Sequence, residues 1–207
     1  MRLDLVIAPS EQLAPETALM DFSKTFHSLM VLSDIRTKRN KEPLVESKKW
    51  AEFKIKSQFK ISKGVYLPTT EVGAGNIPYI TAKSGNNGLN LFIENKALFS
   101  GNAITIEKIG LSAYYQPQDF YCSHDVTVVS NDFLNKYNAA FICSMVNRQG
   151  YKYSYGRQAQ LNVVRSETIL LPINIQDEPD YEYMENYMKR LEYEKLDAYF
   201  QGKASIQ

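Results

Sequence analysis

Short apolar runs separated by turn residues dominate the middle of the chain and constrain its fold more than any other feature. Four runs have the length and composition of β-strands: residues 77–81, 103–106, 126–129 and 168–172. Residues 134–147 instead space their apolar side chains as a buried helix does. Strands outnumber helices and lack the strand–helix alternation of a parallel doubly wound sheet. The pattern predicts an α+β domain with a mixed or antiparallel sheet over residues 48–175.

Two more short strands are predicted at the start of this domain. Their apolar residues alternate along the chain: Trp50, Phe53, Ile55, Phe59 and Ile61. Lysines occupy the opposite phase: Lys54, Lys56, Lys60 and Lys63. A half-buried strand needs such a polar face in any case, so these lysines are explained without DNA, although a DNA-facing role stays open.

Helical segments are predicted on both sides of the domain. Residues 13–39 have helical apolar spacing and precede a polar linker at 40–47, so residues 1–47 form an N-terminal helical segment and linker. Pro179 and the acidic residues after it indicate a helix start within a C-terminal helix and tail, residues 176–207. An apolar stripe on this helix indicates core packing or, alternatively, a partner surface: Tyr183, Met184, Tyr187, Met188 and Leu191.

The stretch at 147–165, NRQGYKYSYGRQAQLNVVR, concentrates the side chains that suit a nucleic acid. It interleaves cations and tyrosines: Arg148, Lys152, Arg157 and Arg165 with Tyr151, Tyr153 and Tyr155. No acidic residue occurs between Asp132 and Glu167. Cations neutralise phosphates or bind guanine edges, and tyrosines stack or hydrogen-bond to the DNA backbone. On a strand the three tyrosines would share one face. The alternative is a surface hairpin whose tyrosines pack on the domain and whose cations are solvated.

The net charge of the chain gives no support for DNA binding, whereas the uneven distribution of charge along the chain is compatible with it. The formal net charge is +1. Between positions 36 and 63 there are ten Lys or Arg against three Glu, whereas between 177 and 197 there are eight Asp or Glu against three Lys or Arg. This segregation permits a basic face and an acidic tail, although solvated surface alone also explains it.

Catalytic chemistry is poorly supported by the sequence. His27 and His124 are the only histidines, and Cys122, His124 and Asp125 form the one reactive-looking cluster. Without a second ligand pair this cluster does not indicate zinc, and inward packing of Cys122 explains it. No nucleotide-binding glycine motif or methyltransferase motif is present, so we expect no catalytic residue, metal or cofactor. Two cysteines and the lack of a signal peptide or long apolar run predict a cytoplasmic protein with free thiols.

Several strings, taken in order, resemble the target recognition domain of restriction-modification specificity subunits. They include IPYITAKSGNNG, AITIEKIGLSAYYQPQDFYCSHDVTVV, YKYSYGRQAQLNVVRSETILLPI and EPDYEYMENYMKRL. The resemblance covers roughly residues 48–192 and is greatest to type I S subunits and BcgI-like specificity modules. It implies a non-catalytic subunit that reads one half of a double-stranded DNA target. It also implies a separate methyltransferase subunit that carries the S-adenosylmethionine site.

The usual specificity subunit of this family has two recognition domains, whereas this chain has enough residues for one. Two copies would therefore have to associate to read a bipartite target. Base-reading positions vary with the target, and our candidates therefore rest on loop placement and side-chain chemistry. The first loop contributes Lys83, Ser84, Asn86 and Asn87, although turn formation explains the asparagines equally well. The second loop contributes Lys108. The third loop contributes Lys152, Tyr155, Arg157 and Gln158. Arg157 follows a glycine turn and is the central candidate. The alternative function is an interaction module that joins a methyltransferase complex without reading DNA.

Overall fold

A computed structural model describes residues 48–204, and the predicted helix at 13–39 and linker at 40–47 lie outside the described residues. The strands in this part of the chain are β1 (Trp50–Lys54), β2 (Lys60–Lys63), β3 (Ala74–Ile80), β4 (Leu89–Ile93), β5 (Ala103–Glu107), β6 (Ala113–Gln116), β7 (Tyr121–Cys122), β8 (Val126–Ser130) and β9 (Thr168–Pro172). The α-helices are α1 (Ile55–Gln58), α2 (Lys136–Asn147), α3 (Leu161–Ser166) and α4 (Tyr181–Ala204). The predicted α+β class is confirmed.

A four-stranded antiparallel sheet, ordered β2-β8-β5-β6, forms the centre of the fold. Both faces of this sheet are covered, because Ile104 and Val129 contribute to the core cluster that contains α2, while Ala103 and Val128 contribute to a second cluster with Phe120. Burial on both faces explains why the sequence of β5 and β8 is continuously apolar or β-branched rather than alternating.

Two smaller sheets flank the central one. In the order β4-β3-β7, β3 pairs antiparallel with β4 and parallel with β7. The parallel pair aligns Tyr79 with Tyr121, whose rings meet edge to face at 5.8 Å. Strands β1 and β9 form an antiparallel pair from Trp50↔Pro172 to Lys54↔Thr168. The domain therefore contains both a mixed sheet and antiparallel sheets, as the sequence predicts.

Helices α2 and α4 pack against each other at one side of the core. Asn135 caps α2 by accepting from the backbone N–H groups of Tyr137 and Asn138, and its side-chain amide donates to Glu185 of α4 over 2.7 Å. Met184 is completely buried, and the ring of Tyr187 lies edge-on to Phe141 of α2 at 5.6 Å. The first half of the apolar stripe on α4 is therefore core packing.

The structure also departs from the sequence predictions. Residues Ile55–Gln58 form one helical turn, not a continuation of the predicted strand, because Ile55 turns inward to complete burial and its N–H bonds to the carbonyl of Glu167 at 2.9 Å. Strand β3 begins at Ala74, inside the predicted loop at 64–76. The sequence did not predict β4, β6, β7 or α3. No helix among residues 48–204 is long and apolar enough to cross a membrane.

Candidate nucleic-acid interface

The basic and aromatic stretch begins where α2 ends and forms two tight turns before α3. Residues Gly150–Lys152 form a 3-10 turn, and the backbones of Ser154 and Arg157 then bond to each other to close a hairpin. The stretch does not form the extended strand that would put three tyrosines on one face. Tyr151 and Tyr155 are 83% and 79% exposed, whereas Tyr153 is half-buried. Two of the three tyrosines are thus available to a ligand.

Three arginines on this stretch and on α3 present their charge to solvent. Arg148, Arg157 and Arg165 are exposed, and none of them takes part in an ion pair with another residue of the 48–204 region. The stretch itself offers these arginines no local partner, since no acidic residue occurs between Asp132 and Glu167. Exposed guanidinium groups without carboxylate partners are suited to phosphates and base edges.

Lys152 has a different environment from these arginines. Its Nζ lies 2.6 Å from Oε1 of Glu167, and the hydroxyl of Tyr153 donates to the other carboxylate oxygen. Burial alone would raise the pKa of Glu167, but the hydrogen bonds from Lys152 and Tyr153 outweigh it, and the pKa of Glu167 is held below its ordinary value. Burial and the Glu167 carboxylate raise the pKa of Tyr153 to about 12. The carboxylate is therefore ionised, and the charge of Lys152 is directed inward.

The second loop, between β5 and β6, is built around a buried carboxylate. Glu107 is 3% exposed, and its oxygens accept the backbone N–H groups of Ile109, Gly110 and Ser112 at 2.6, 2.7 and 3.1 Å. A carboxylate that accepts several N–H groups satisfies donors that would otherwise be orphaned in a tight turn. This interaction gives residues 107–112 a defined shape.

The second loop packs directly against the third. The carbonyl of Lys108 accepts the N–H of Ala159 at 2.7 Å, and a Cβ added at Gly150 would lie 2.6 Å from the carbonyl oxygen of Gly110. Only glycine permits this approach of two backbones. The ammonium of Lys108 is paired with Asp125 at 2.7 Å. The structure therefore brings the second and third loops together.

The first loop has left-handed backbone at three consecutive residues: Asn86 (φ 48°), Asn87 (φ 54°) and Gly88 (φ 73°). The amide of Asn87 donates to the carbonyl of Tyr115 at 3.1 Å and to the side-chain oxygen of Gln116 at 3.2 Å. Turn formation therefore accounts for these asparagines. Lys83, Ser84 and Asn86 project from the same loop and are exposed.

Strand β6 is the neighbour that these loops share. Asn87 of the first loop bonds to its C-terminal residues, while at its start the N–H of Ala113 donates to Asn147 at 2.6 Å, where the basic stretch begins. Four residues of strand span about 10 Å, which is comparable to the width of the DNA major groove. The first loop and the basic stretch thus border the two ends of one short strand.

The side chains of Cys122, His124 and Asp125 make packing and ion-pair contacts within the fold. Cys122 is completely buried, and burial raises the pKa of its thiol to about 12, so it carries no thiolate at neutral pH. His124 lies edge-on to Tyr66, and its Nε2 is 3.2 Å from Asp125. The prediction that Cys122 packs inward is confirmed. Within the described part of the chain, no group of three or more His, Cys, Asp or Glu residues could hold a metal ion.

Comparison with known proteins decides the family. Residues 47–198 match the family described as the type I restriction modification DNA specificity domain. The chain belongs to this family. The resemblance inferred from the sequence is therefore confirmed, and the loops described above are loops of a specificity domain.

Individual relatives of this specificity domain agree with the assignment. The type II restriction enzyme BgcI specificity subunit S.BcgI of Heyndrickxia coagulans is 34% identical over 148 residues, which cover 69% of this chain and 43% of the relative. The S subunit of a type I restriction-modification system from M. genitalium matches with a TM-score of 0.55 at 16% identity, covering 84% of this chain and 45% of its own. The HsdS subunit of Thermoanaerobacter tengcongensis matches at 0.51 and 12% identity, covering 91% and 50%. The specificity domain thus spans about half the length of these relatives, and the two solved structures share its fold.

The sequence did not predict the structural roles of three carboxylates in the loops of the specificity domain, although it drew attention to Asp125 beside Cys122 and His124. Glu107 holds the second loop, Asp125 pairs with Lys108, and Glu167 binds Lys152 and Tyr153. The sequence offered one clue, since Glu167 is the first acidic residue after a run of 34 residues without one. A solitary acid at the end of a basic stretch is a natural partner for one of its cations.

Proposed function

We propose that this chain is a non-catalytic specificity subunit of a cytoplasmic restriction-modification system that reads one half of a double-stranded DNA target and docks a methyltransferase subunit. The observation that carries the proposal is the set of exposed arginines on the basic stretch and on α3. Arg148, Arg157 and Arg165 have no carboxylate partner in the 48–204 region, and exposed Tyr151 and Tyr155 lie among them in sequence. A surface of this chemistry favours phosphate and base contacts.

The candidate residues divide into two groups by their present partners. Six are exposed or partly exposed at the loops and are the contacts we propose: Lys83, Ser84, Asn86, Tyr155, Arg157 and Gln158, of which Gln158 accepts one hydrogen bond, from the nearby Gln160 at 3.0 Å. Three are engaged within the protein, so a DNA contact by them would have to coexist with or replace an internal bond: Asn87, Lys108 and Lys152. Arg157 remains the central candidate because it closes an exposed hairpin.

The methyltransferase partner would carry the catalytic site and the S-adenosylmethionine, so this chain itself needs no cofactor. The chain spans about half the length of its matched relatives. Two associated copies would present two recognition surfaces and could read both halves of a bipartite target. A homodimer is one arrangement that we propose for reading such a target.

DNA reading is tested by comparing Arg157→Ala with a matched lysine variant on the acidic helix. Lys195→Ala removes an exposed cation from α4, where acidic residues predominate. We expect Arg157→Ala to weaken binding of the target duplex by about 1–3 kcal/mol, as loss of one bidentate base contact does, and Lys195→Ala to leave it unchanged. Equal binding by parent and Arg157→Ala, measured by fluorescence anisotropy with the methyltransferase subunit present, would remove Arg157 from the interface.

One observation favours a second function, an interaction module that joins a methyltransferase complex without reading DNA. The C-terminal half of α4 carries exposed apolar residues, with Leu196 46% and Tyr199 55% exposed, and these suit a protein partner. Co-purification with a methyltransferase subunit, combined with no DNA affinity contributed by this chain in the assembled complex, would favour this function over the first.

A further inference from the structure

The hairpin that carries Tyr155 and Arg157 has little support of its own. Its internal bonds run between the backbones of Ser154 and Arg157, at 2.9 and 3.2 Å. A Cβ added at Gly156 would meet nothing within 4 Å, so the tip is open to solvent. An isolated two-stranded turn of this size is marginal in water. Its shape therefore depends on what holds its two ends.

Each end of the hairpin is tied to a different part of the fold. On the C-terminal side, the N–H of the buried Ala159 bonds to the carbonyl of Lys108 at 2.7 Å. On the N-terminal side, Lys152 and Tyr153 converge on the carboxylate of Glu167, one through its ammonium at 2.6 Å and the other through its hydroxyl. The backbone N–H of Tyr153 also bonds to the carbonyl of Gly150 at 2.9 Å, and its ring packs against the main core cluster. The Glu167 carboxylate adds the side-chain anchor that Lys152 and Tyr153 share on this side.

Glu167 is itself held firmly by its backbone. Its N–H bonds to the carbonyls of Val163 and Val164 at the end of α3, and its carbonyl accepts the N–H of Ile55 at 2.9 Å. The next residue, Thr168, opens β9 and pairs with Lys54 of β1. Glu167 is 8% exposed, and its carboxylate points toward Lys152 and Tyr153 at the start of the hairpin.

We propose that Glu167 is a positioning residue that fixes the orientation of the hairpin carrying Arg157, and that Lys152 and Tyr153 are its structural partners and not DNA contacts. A nearly buried carboxylate is satisfied only when it is paired and hydrogen-bonded, and these two donors meet that requirement. The pairing also neutralises Lys152, which leaves the exposed Arg157 as the hairpin's external charge. The role in DNA reading rests on the proposed function, whereas the role in hairpin order does not.

Hydrogen exchange of the backbone amides of Ser154 and Arg157, which close the hairpin, tests the positioning role without DNA. We expect Glu167→Gln to accelerate exchange at these amides by about 10- to 100-fold, because charge-assisted bonds are lost. Tyr153→Phe, which removes one hydroxyl, should accelerate it less, and Glu52→Gln, at an exposed position on β1, should leave it at the parental rate. Parental exchange rates in both Glu167→Gln and Tyr153→Phe would overturn the proposal.

The salt dependence of DNA binding separates a positioning residue from a phosphate contact. Loss of a phosphate contact lowers the slope of log K against log salt by about 1. We expect Lys152→Met to weaken binding at every salt concentration with an unchanged slope. A slope reduced by about 1, with parental exchange in the hairpin, would make Lys152 a DNA contact and overturn its assignment here. A parent chain that fails to bind DNA with its methyltransferase subunit would overturn the proposed function, and the exchange rates would still decide the role of Glu167.

Discussion

The first loop and the hairpin of the third loop both carry candidate DNA contacts but are held in shape by different forces. In the first loop, left-handed backbone at residues 86–88 is fixed by the neutral amide of Asn87, which bonds to β6. In the hairpin, bonds to the ionised carboxylate of Glu167 add to the backbone bonds that close the turn. The shape of the first loop depends on its backbone conformation, whereas the orientation of the hairpin depends in part on the charged side chain of Glu167.

This difference bears on how the surface can change its target. The bonds that shape the first loop join neutral groups, so they are insensitive to pH and salt. The exposed side chains of Lys83 and Ser84 take no part in these bonds, so they can be exchanged without altering the loop that presents them. The hairpin is different because Lys152 lies among the proposed DNA contacts in sequence but binds Glu167 and helps to hold the hairpin in place. We therefore expect target variation to be tolerated at Tyr155, Arg157 and Gln158, but not at Lys152 or Glu167.

The largest expected effect comes from removing the charged support altogether. Glu167→Ala leaves the ammonium of Lys152 and the hydroxyl of Tyr153 without their shared acceptor. We expect the free energy of unfolding to fall by about 2–3 kcal/mol, as when one partner of a nearly buried pair is deleted. Urea unfolding monitored by circular dichroism measures the change. Glu52→Ala is the matched control, and an equal effect in both variants would contradict the special role of Glu167.

A smaller effect is expected from strain in the first loop. Gly88 has a φ of 73°, and an added Cβ would lie 3.0 Å from a methyl group of Ile80, so we expect Gly88→Ala to destabilise the fold by about 1–2 kcal/mol. Gly85 is extended, with a φ of −160°, and an added Cβ would meet nothing within 4 Å. Gly85→Ala should therefore change the melting temperature little. Similar melting temperatures for the two variants would show that the left-handed turn is not a constraint.

The smallest effect is a difference in pH dependence between the two loops. Because the pKa of Glu167 is lowered in the folded protein, its stabilising contribution is complete above the ordinary glutamate value of 4.5 and is lost as pH falls through the lower, folded-state pKa. The difference in unfolding free energy between the parent and Glu167→Gln should thus shrink below about pH 4.5. Other acids, such as Glu185, titrate in both proteins and cancel.

The same pH series for Asn87→Ala provides the contrast, since an amide does not titrate. The difference between Asn87→Ala and the parent should be constant from neutral pH to about pH 3, a range that extends below the ordinary glutamate pKa. A gap that is equally constant for Glu167→Gln would mean that the ionised carboxylate does not support the hairpin.

Local sequence patterns predicted the parts of the fold that depend on local physics. Apolar and β-branched runs at 103–106 and 126–129 became the central strands, and the residues at 83–88 formed the tight turn that their asparagines and glycines favour. Strand β4 was missed because two of its residues, Leu91 and Phe92, are 38% and 46% exposed at a sheet edge, so its sequence lacks a clear buried phase.

The support of the candidate surface could not be predicted, because it depends on contacts distant in sequence. Lys108 and Lys152 look like other basic residues of the chain, yet each is paired with an acid 15 or more residues away. The 3-10 turn at Gly150–Lys152 likewise depends on packing against Gly110, whereas the local alternation of tyrosines favours a strand. The sequence showed where the cations are concentrated but not which of them face outward.

The salt dependence of DNA binding by the parent protein tests the central claim most directly. Fluorescence anisotropy of a mixed-sequence duplex, titrated at several salt concentrations with and without the methyltransferase subunit, measures it. If Arg148, Arg157, Arg165 and Lys83 contact phosphates, log K should fall with log salt with a slope of about −3 to −4. No binding at the lowest salt, even with the methyltransferase subunit present, would contradict the account and leave the exposed arginines as solvated surface.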